Sequence, residues 1–94
     1  MNIKEETFCG SKINYPININ FKVITNNTFP DNVNCTHIGI AIEDAGLHYD
    51  VISVTESKKQ NYFSYTVMLK IETEIQMKEL YRLIREIPGF VMAV

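Results

Sequence analysis

The chain has 94 residues, 46% of them hydrophobic and 21% charged, with four Gly and three Pro; this composition fits one small globular domain and excludes collagen-like, mucin-like and wholly disordered readings. Nine Lys and Arg against eleven Asp and Glu leave a formal charge of −2, so nucleic acid is not the expected partner, because wrapping phosphates needs a strongly basic surface. Neither an apolar run of about 18 residues nor a secretion-signal core is visible, and the sequence therefore predicts a cytoplasmic protein with no membrane role.

Residues 1–14 show no sustained apolar period and are expected to form a flexible tail ahead of a single domain over residues 15–94. Tyr15-Pro16 favours extended backbone. In the segment that follows, Ile17, Ile19, Phe21 and Val23 alternate with Asn18, Asn20 and Lys22, which predicts a strand buried on one face. Thr25-Asn26-Asn27-Thr28 reads as a polar loop. Pro30 suits the first turn of a helix, and Thr28 with Asp31 three residues on resembles a capping box with Asp in place of Glu.

The first helix carries two competing signals. Asn32, Asn34, Thr36 and Gly39 are poor helix formers, and Ile38-Gly39-Ile40-Ala41-Ile42 also fits an alternating strand. Cys35, Ile38, Ala41, Ile42 and Ala45 nevertheless share one helical face, and Gly46 stands where a left-handed C-terminal cap belongs, which favours the helix. Val51 to Thr55 is rich in β-branched residues and predicts a second strand; Ser57-Lys58-Lys59-Gln60-Asn61 is a polar hairpin loop, and Tyr62 to Ile71 is a third strand. Its apolar face is Phe63, Tyr65, Val67, Leu69 and Ile71, leaving Ser64, Thr66, Met68 and Lys70 on the other.

The last helix is clearly marked. Thr73 and Gln76 form a capping box, Met77, Leu80, Tyr81, Ile84 and Ile87 form a 3.6-period stripe, and Pro88-Gly89 stops it. Glu74 with Lys78 and Arg82 with Glu86 are spaced as i,i+4 ion pairs on its outer side. Phe90 to Val94 reads as a final, docked strand. The order βαββαβ predicts an α+β ferredoxin-like sandwich, a four-stranded antiparallel sheet with both helices on one face. Its open face would be lined by Asn18, Asn20, Lys22, Ser64, Thr66, Met68 and Lys70, polar but not strongly charged, and is the predicted surface for a protein partner or self-association.

Tyr15-Pro16 with Phe21-Lys22-Val23-Ile24, the hairpin Ser57-Lys58-Lys59-Gln60-Asn61-Tyr62-Phe63-Ser64-Tyr65-Thr66-Val67, and Gln76, Leu80-Tyr81 with Val91-Met92-Ala93-Val94 resemble, in that order, the YbeD-like family of small bacterial proteins of unknown function. The resemblance spans about residues 15–94; it departs at Thr25 and Gln60, where the family often has Gly. It implies an arrangement similar to ACT domains, which bind small effectors or pair with other subunits to regulate enzymes. It carries over no catalytic residues.

Other candidate chemistry is sparse. His37 and His48 have no base partner placed by sequence and are read as surface residues. Glu43, Asp44 and Asp50 lack the spacing of a calcium loop and read as a solvated helix end, so no metal or cofactor is predicted. Cys9 and Cys35 are expected as reduced thiols. The pair Lys58-Lys59 reads as a solubilising hairpin tip. Phe21, Phe63 and Tyr65 could form a base-stacking sheet, but alternation puts them under the helices. An acylphosphatase is excluded because the arginines, Arg82 and Arg85, lie far from the first loop.

These readings lead to a non-enzymatic regulatory or adaptor domain acting through the open sheet face or an edge. The alternative is a sensor of a small effector, an amino acid or small acid, held where Thr25, Asn26, Asn27, Thr28 and Asp31 run into a helix N-terminus. An RNA-binding sheet is the third reading.

Overall fold

The computed structural model describes residues 14–56 and 61–94. The expected tail through residue 13, Cys9, and Ser57 to Gln60 with the Lys58-Lys59 pair lie outside the described residues. The elements are β1 (Ile17–Asn26), α1 (Asp31–Asp44), β2 (Ile52–Glu56), β3 (Tyr62–Ile71), α2 (Glu74–Arg85) and β4 (Phe90–Ala93). The strands form one antiparallel sheet in the order β2-β3-β1-β4, so the expected βαββαβ sandwich is present.

The long β1–β3 ladder organises the sheet. It runs in unbroken register from Ile17 opposite Ile71 to Asn26 opposite Tyr62, so the two strands share a common alternation along their whole length. Phe21 and Val23 from β1 and Tyr65, Val67, Leu69 and Ile71 from β3 point into the core, where Ile38 and Ile42 of α1 and Leu80 and Ile84 of α2 meet them. Each of these side chains is essentially shut off from solvent, which stabilises the fold by roughly 1.5–3 kcal/mol apiece before the entropy of ordering is counted. Phe21 also meets Tyr81 edge to face at 5.3 Å, joining β1 to α2.

β1 continues three residues past the predicted end, and this corrects the loop assignment. Because Asn26 still pairs with Tyr62, Thr25 and Asn26 are strand residues, and Thr25 takes the next inward position after Phe21 and Val23. The capping box expected at Thr28 and Asp31 does not form. Pro30 is the N-cap of α1, in extended backbone and without a side-chain cap bond. The Thr28 amide instead donates to Asn26 Oδ1 at 3.0 Å.

Both helix ends otherwise follow from local chemistry. Gly46 adopts φ +84, its amide donates to Glu43 O, and the Leu47 amide reaches back to Ile42 O. This Schellman turn closes α1, with Leu47 buried beneath it. At α2, Thr73 Oγ1 accepts from the Gln76 amide at 3.1 Å while Gln76 Oε1 accepts from the Glu72 amide at 2.9 Å, a reciprocal box reaching one residue further back than expected. The ion pairs Lys78–Glu74 (3.1 Å) and Arg82–Glu86 (3.5 Å) lie on its exposed side as their spacing predicts. Gly89, at φ +82, turns the chain into β4, and β4 lies along the free side of β1 with a register shift between Ile24 and Thr25.

Candidate functional site

The predicted effector loop and the predicted partner face are both on this sheet, and the structure treats them differently. At the end of β1, Thr25 is fully buried, as is Asn34 one turn into α1. Asn34 Nδ2 donates toward Thr25 Oγ1 (3.3 Å), the Phe29 carbonyl (3.2 Å) and Tyr65 Oη (3.0 Å). Tyr65 in turn donates its hydroxyl proton to Asp31 Oδ1 at 3.1 Å. Four elements of sequence, β1, the loop, α1 and β3, are thereby tied by one polar knot, in which Asn34 Oδ1 is buried without a partner.

Burial pushes the Tyr65 phenol up to about 12, with the neighbouring Asp31 carboxylate adding to the rise and the Asn34 bond opposing it. Of the residues predicted to hold an effector, Thr25 is thus buried with its hydroxyl bonded inside the fold, and half-buried Asp31 gives one carboxylate oxygen to Tyr65. Asn26 is tied on both sides: its amide donates to Gly89 O at 2.8 Å and its side chain holds the Thr28 amide. Asn27 and Thr28 are exposed. Asn34 and Tyr65, the centre of the knot, were not among the predicted site residues. The signal available was a poor helix former placed early in a helix, opposite a tyrosine on an inward strand position.

The open face holds the seven predicted residues together. Asn18, Asn20, Lys22, Met68 and Lys70 are exposed, and Ser64 and Thr66 are half-buried between strands. The pairings Asn18–Lys70, Asn20–Met68, Lys22–Thr66 and Ile24–Ser64 set them in neighbouring rows. The structure corrects the expectation that this face is polar. β4 pairs Met92 with Ile24, and Val94 exchanges backbone hydrogen bonds with Lys22, so both side chains share the open face. Met68, Val94 and Met92 are 65%, 60% and 46% exposed. Val51, beside Ser53 and Met68, and Tyr62, beside Ser64, extend the apolar surface toward β2.

Charge on this face is sparse and mixed. Lys22 stands between Ile24, Thr66 and Val94 with no ion pair among the described residues. Lys70 approaches Glu72 at 4.0 Å, an exposed pair of small energetic weight. Asp50 sits at the margin, lining shallow cavities with Asn20 and Met68.

The remaining candidates fall elsewhere. Phe21 and Tyr65 are core residues, and Phe63 packs at the core edge, 6.4 Å from Tyr65. His48 is exposed as expected, but His37 is not a simple surface residue. Its ring packs edge-on against Phe29 at 6.1 Å, and its Nδ1 is buried without a partner. Cys35 is a free thiol that burial raises, with Asp31 adding to the effect. Among the described residues no three His, Cys, Asp or Glu side chains converge in a metal-binding group, and no helix is long and apolar enough to cross a membrane.

The architecture is shared by solved structures of low sequence identity. The ACT domain from GTP pyrophosphokinase of Chlorobium tepidum aligns at a TM-score of 0.65 and 10% identity, covering 84% of this chain and 96% of that domain. The solution structure of protein HP0495 from H. pylori aligns at a TM-score of 0.68 and 16% identity, covering 97% and 98%. At such identities the likeness is one of fold, and it agrees with the ferredoxin-like, ACT-like arrangement read from the sequence. No curated protein matches the chain. A family model does match, over residues 10–94, so the YbeD-like resemblance holds and the chain belongs to the family described as "Protein of unknown function (DUF493)".

Proposed function

We propose that this protein is a non-catalytic regulatory or adaptor domain that works by laying its open sheet face on another protein surface. The observation that carries this reading is the apolar ground around Lys22: Ile24, Met92 and Val94 beside it and Met68 one row below, with no ion pair to Lys22 among the described residues. Contiguous exposed apolar side chains rimmed by polar ones mark protein contact surfaces, and methionine adapts well to a partner's contour. The likeness in fold to a domain carried within GTP pyrophosphokinase supports an auxiliary rather than a catalytic role.

The partner surface this face fits is apolar with acidic groups, since Lys22 gains a carboxylate only on docking. Affinity capture from native cytosol with the tagged domain, beside a Lys22→Glu/Met92→Ser variant, tests the reading. Both positions are exposed, so the variant keeps the fold. Stoichiometric retention of one protein by the parent, lost in the variant, is the expected result. Retention that is identical in the two forms, or none in either, refutes docking through this face.

A further inference from the structure

The side of the molecule away from the open sheet carries a second unfinished surface. Ile40 is 51% exposed, although the residues on either side of it in the run Ile38-Gly39-Ile40-Ala41-Ile42 are buried. It borders a shallow cleft of about 180 Å³ between α1 and α2, whose lining also includes His37, Asp44, Leu83, Glu86 and Pro88. His37 and Asp44 are two helical turns apart, so the cleft follows α1 for about 10 Å.

The electrostatics of this cleft are unbalanced. α1 ends in Glu43 and Asp44 and has no basic residue in its last turn. The carbonyl end of a helix carries partial negative charge, so carboxylates there are unfavourable and a cation is wanted. Neither Glu43 nor Asp44 has an ion pair among the described residues. α2 shows the ordinary solution, with Arg82 and Arg85 in its last turn. An exposed isoleucine and an uncompensated acidic helix end, both on one cleft, break two local rules in one place. Such violations are expected where a surface is built for contact.

We propose that this cleft docks a basic amphipathic segment of a partner protein. An aliphatic side chain of that segment covers Ile40 and Leu83, and a Lys or Arg one turn away meets Asp44 and the carbonyl end of α1. This is the helix-in-groove mode, with charge complementarity setting the sign of the partner. It is independent of the open-face reading, because the two surfaces lie on opposite sides of the sheet.

A synthetic amphipathic helix of leucine and lysine, titrated into isotope-labelled protein and followed by amide shifts, tests the proposal, with a leucine and glutamate helix as control. Shifts are expected along residues 37–44 and 83–87, strengthening as salt is lowered, while the amides of Asn20, Lys22 and Thr66 stay still. Affinity is expected to fall about tenfold or more in Ile40→Ser and again in Asp44→Lys. Both substitutions are on exposed side chains, and unchanged sheet resonances confirm the fold of each variant. Equal binding of the glutamate helix, shifts centred on the open face, indifference to both substitutions, or no binding of the lysine helix overturns it.

Discussion

A buried phenol hydroxyl needs partners, and Tyr65 has two, Asn34 as donor and Asp31 as acceptor. Tyr65→Phe keeps the ring in the core but withdraws both bonds, leaving Asn34 Nδ2 with Thr25 Oγ1 and the Phe29 carbonyl. The expected loss of stability is about 1–2 kcal/mol, measurable by urea unfolding. The same residue governs alkaline behaviour. Its folded value, about 12, lies above the ordinary 10.0, so the folded state holds the proton more tightly than the unfolded chain does. The stabilisation is therefore complete below pH 10 and is lost as pH rises toward 12. Unfolding midpoints followed across that window should fall more steeply in the parent than in Tyr65→Phe; parallel slopes would show that Tyr65 is not the titrating group. Asn34→Ala removes the donor common to three acceptors and is expected to cost about 2 kcal/mol or more, with amide exchange rising first at the β1–α1 junction.

At the level of elements, legibility tracked how local the deciding interactions are. α2 could be read because each link in its cap, its apolar stripe and its ion pairs joins residues no more than four apart in sequence. β1 could be read from alternation, but its last three residues could not, since they are held as strand by distant partners, Tyr62, Phe63 and Ser64 of β3 on one side and Met92, Phe90 and Gly89 on the other. α1 was obscured by residues serving other parts of the fold: Asn34 the polar knot, Ile40 the cleft, and Gly39 the loop after the helix. A Cβ on Gly39 would run into the Tyr49 hydroxyl and come within 3.0 Å of Tyr49 Cζ. Gly39→Ala gains the roughly 1 kcal/mol by which alanine favours a helix, but it must expel the Tyr49 ring. Little net stabilisation is expected, together with displaced amide resonances from Ala45 to Val51. In a Tyr49→Ala background the obstruction is gone, and Gly39→Ala should then stabilise by close to the full helix-propensity difference; an equal effect in both backgrounds would remove Tyr49 as the reason for the glycine. The open face was half legible for the same reason. Its β1 and β3 residues follow from alternation, whereas Met92 and Val94 join it only through pairing with β1 across the sheet edge.

At the scale of the molecule, the slight negative charge of the chain is unevenly placed. The open face presents Lys22 and Lys70, while α1 carries Asp31, Glu43 and Asp44 with no Lys or Arg. The open face, where Lys22 stands among apolar side chains, and the cleft beside Ile40 and Asp44 lie on opposite sides of the sheet, so covering one leaves the other accessible. If the acidic end of α1 is kept for contact, it should be a burden on the isolated domain. Asp44→Lys replaces an unfavourable charge at the carbonyl end by a favourable one, and the expected gain is about 0.3–1 kcal/mol, or a few degrees in Tm. The gain should shrink as salt is raised, because an exposed charge near a helix end is screened. The same substitution is expected to weaken binding of the lysine helix, so stability and docking move in opposite directions, the trade-off expected of a functional surface. Thermal melts of parent and Asp44→Lys at low and high salt check the first half, and the peptide titration checks the second. A variant that is neither more stable nor weaker in binding would show that Asp44 is a solvated helix end with no role in contact.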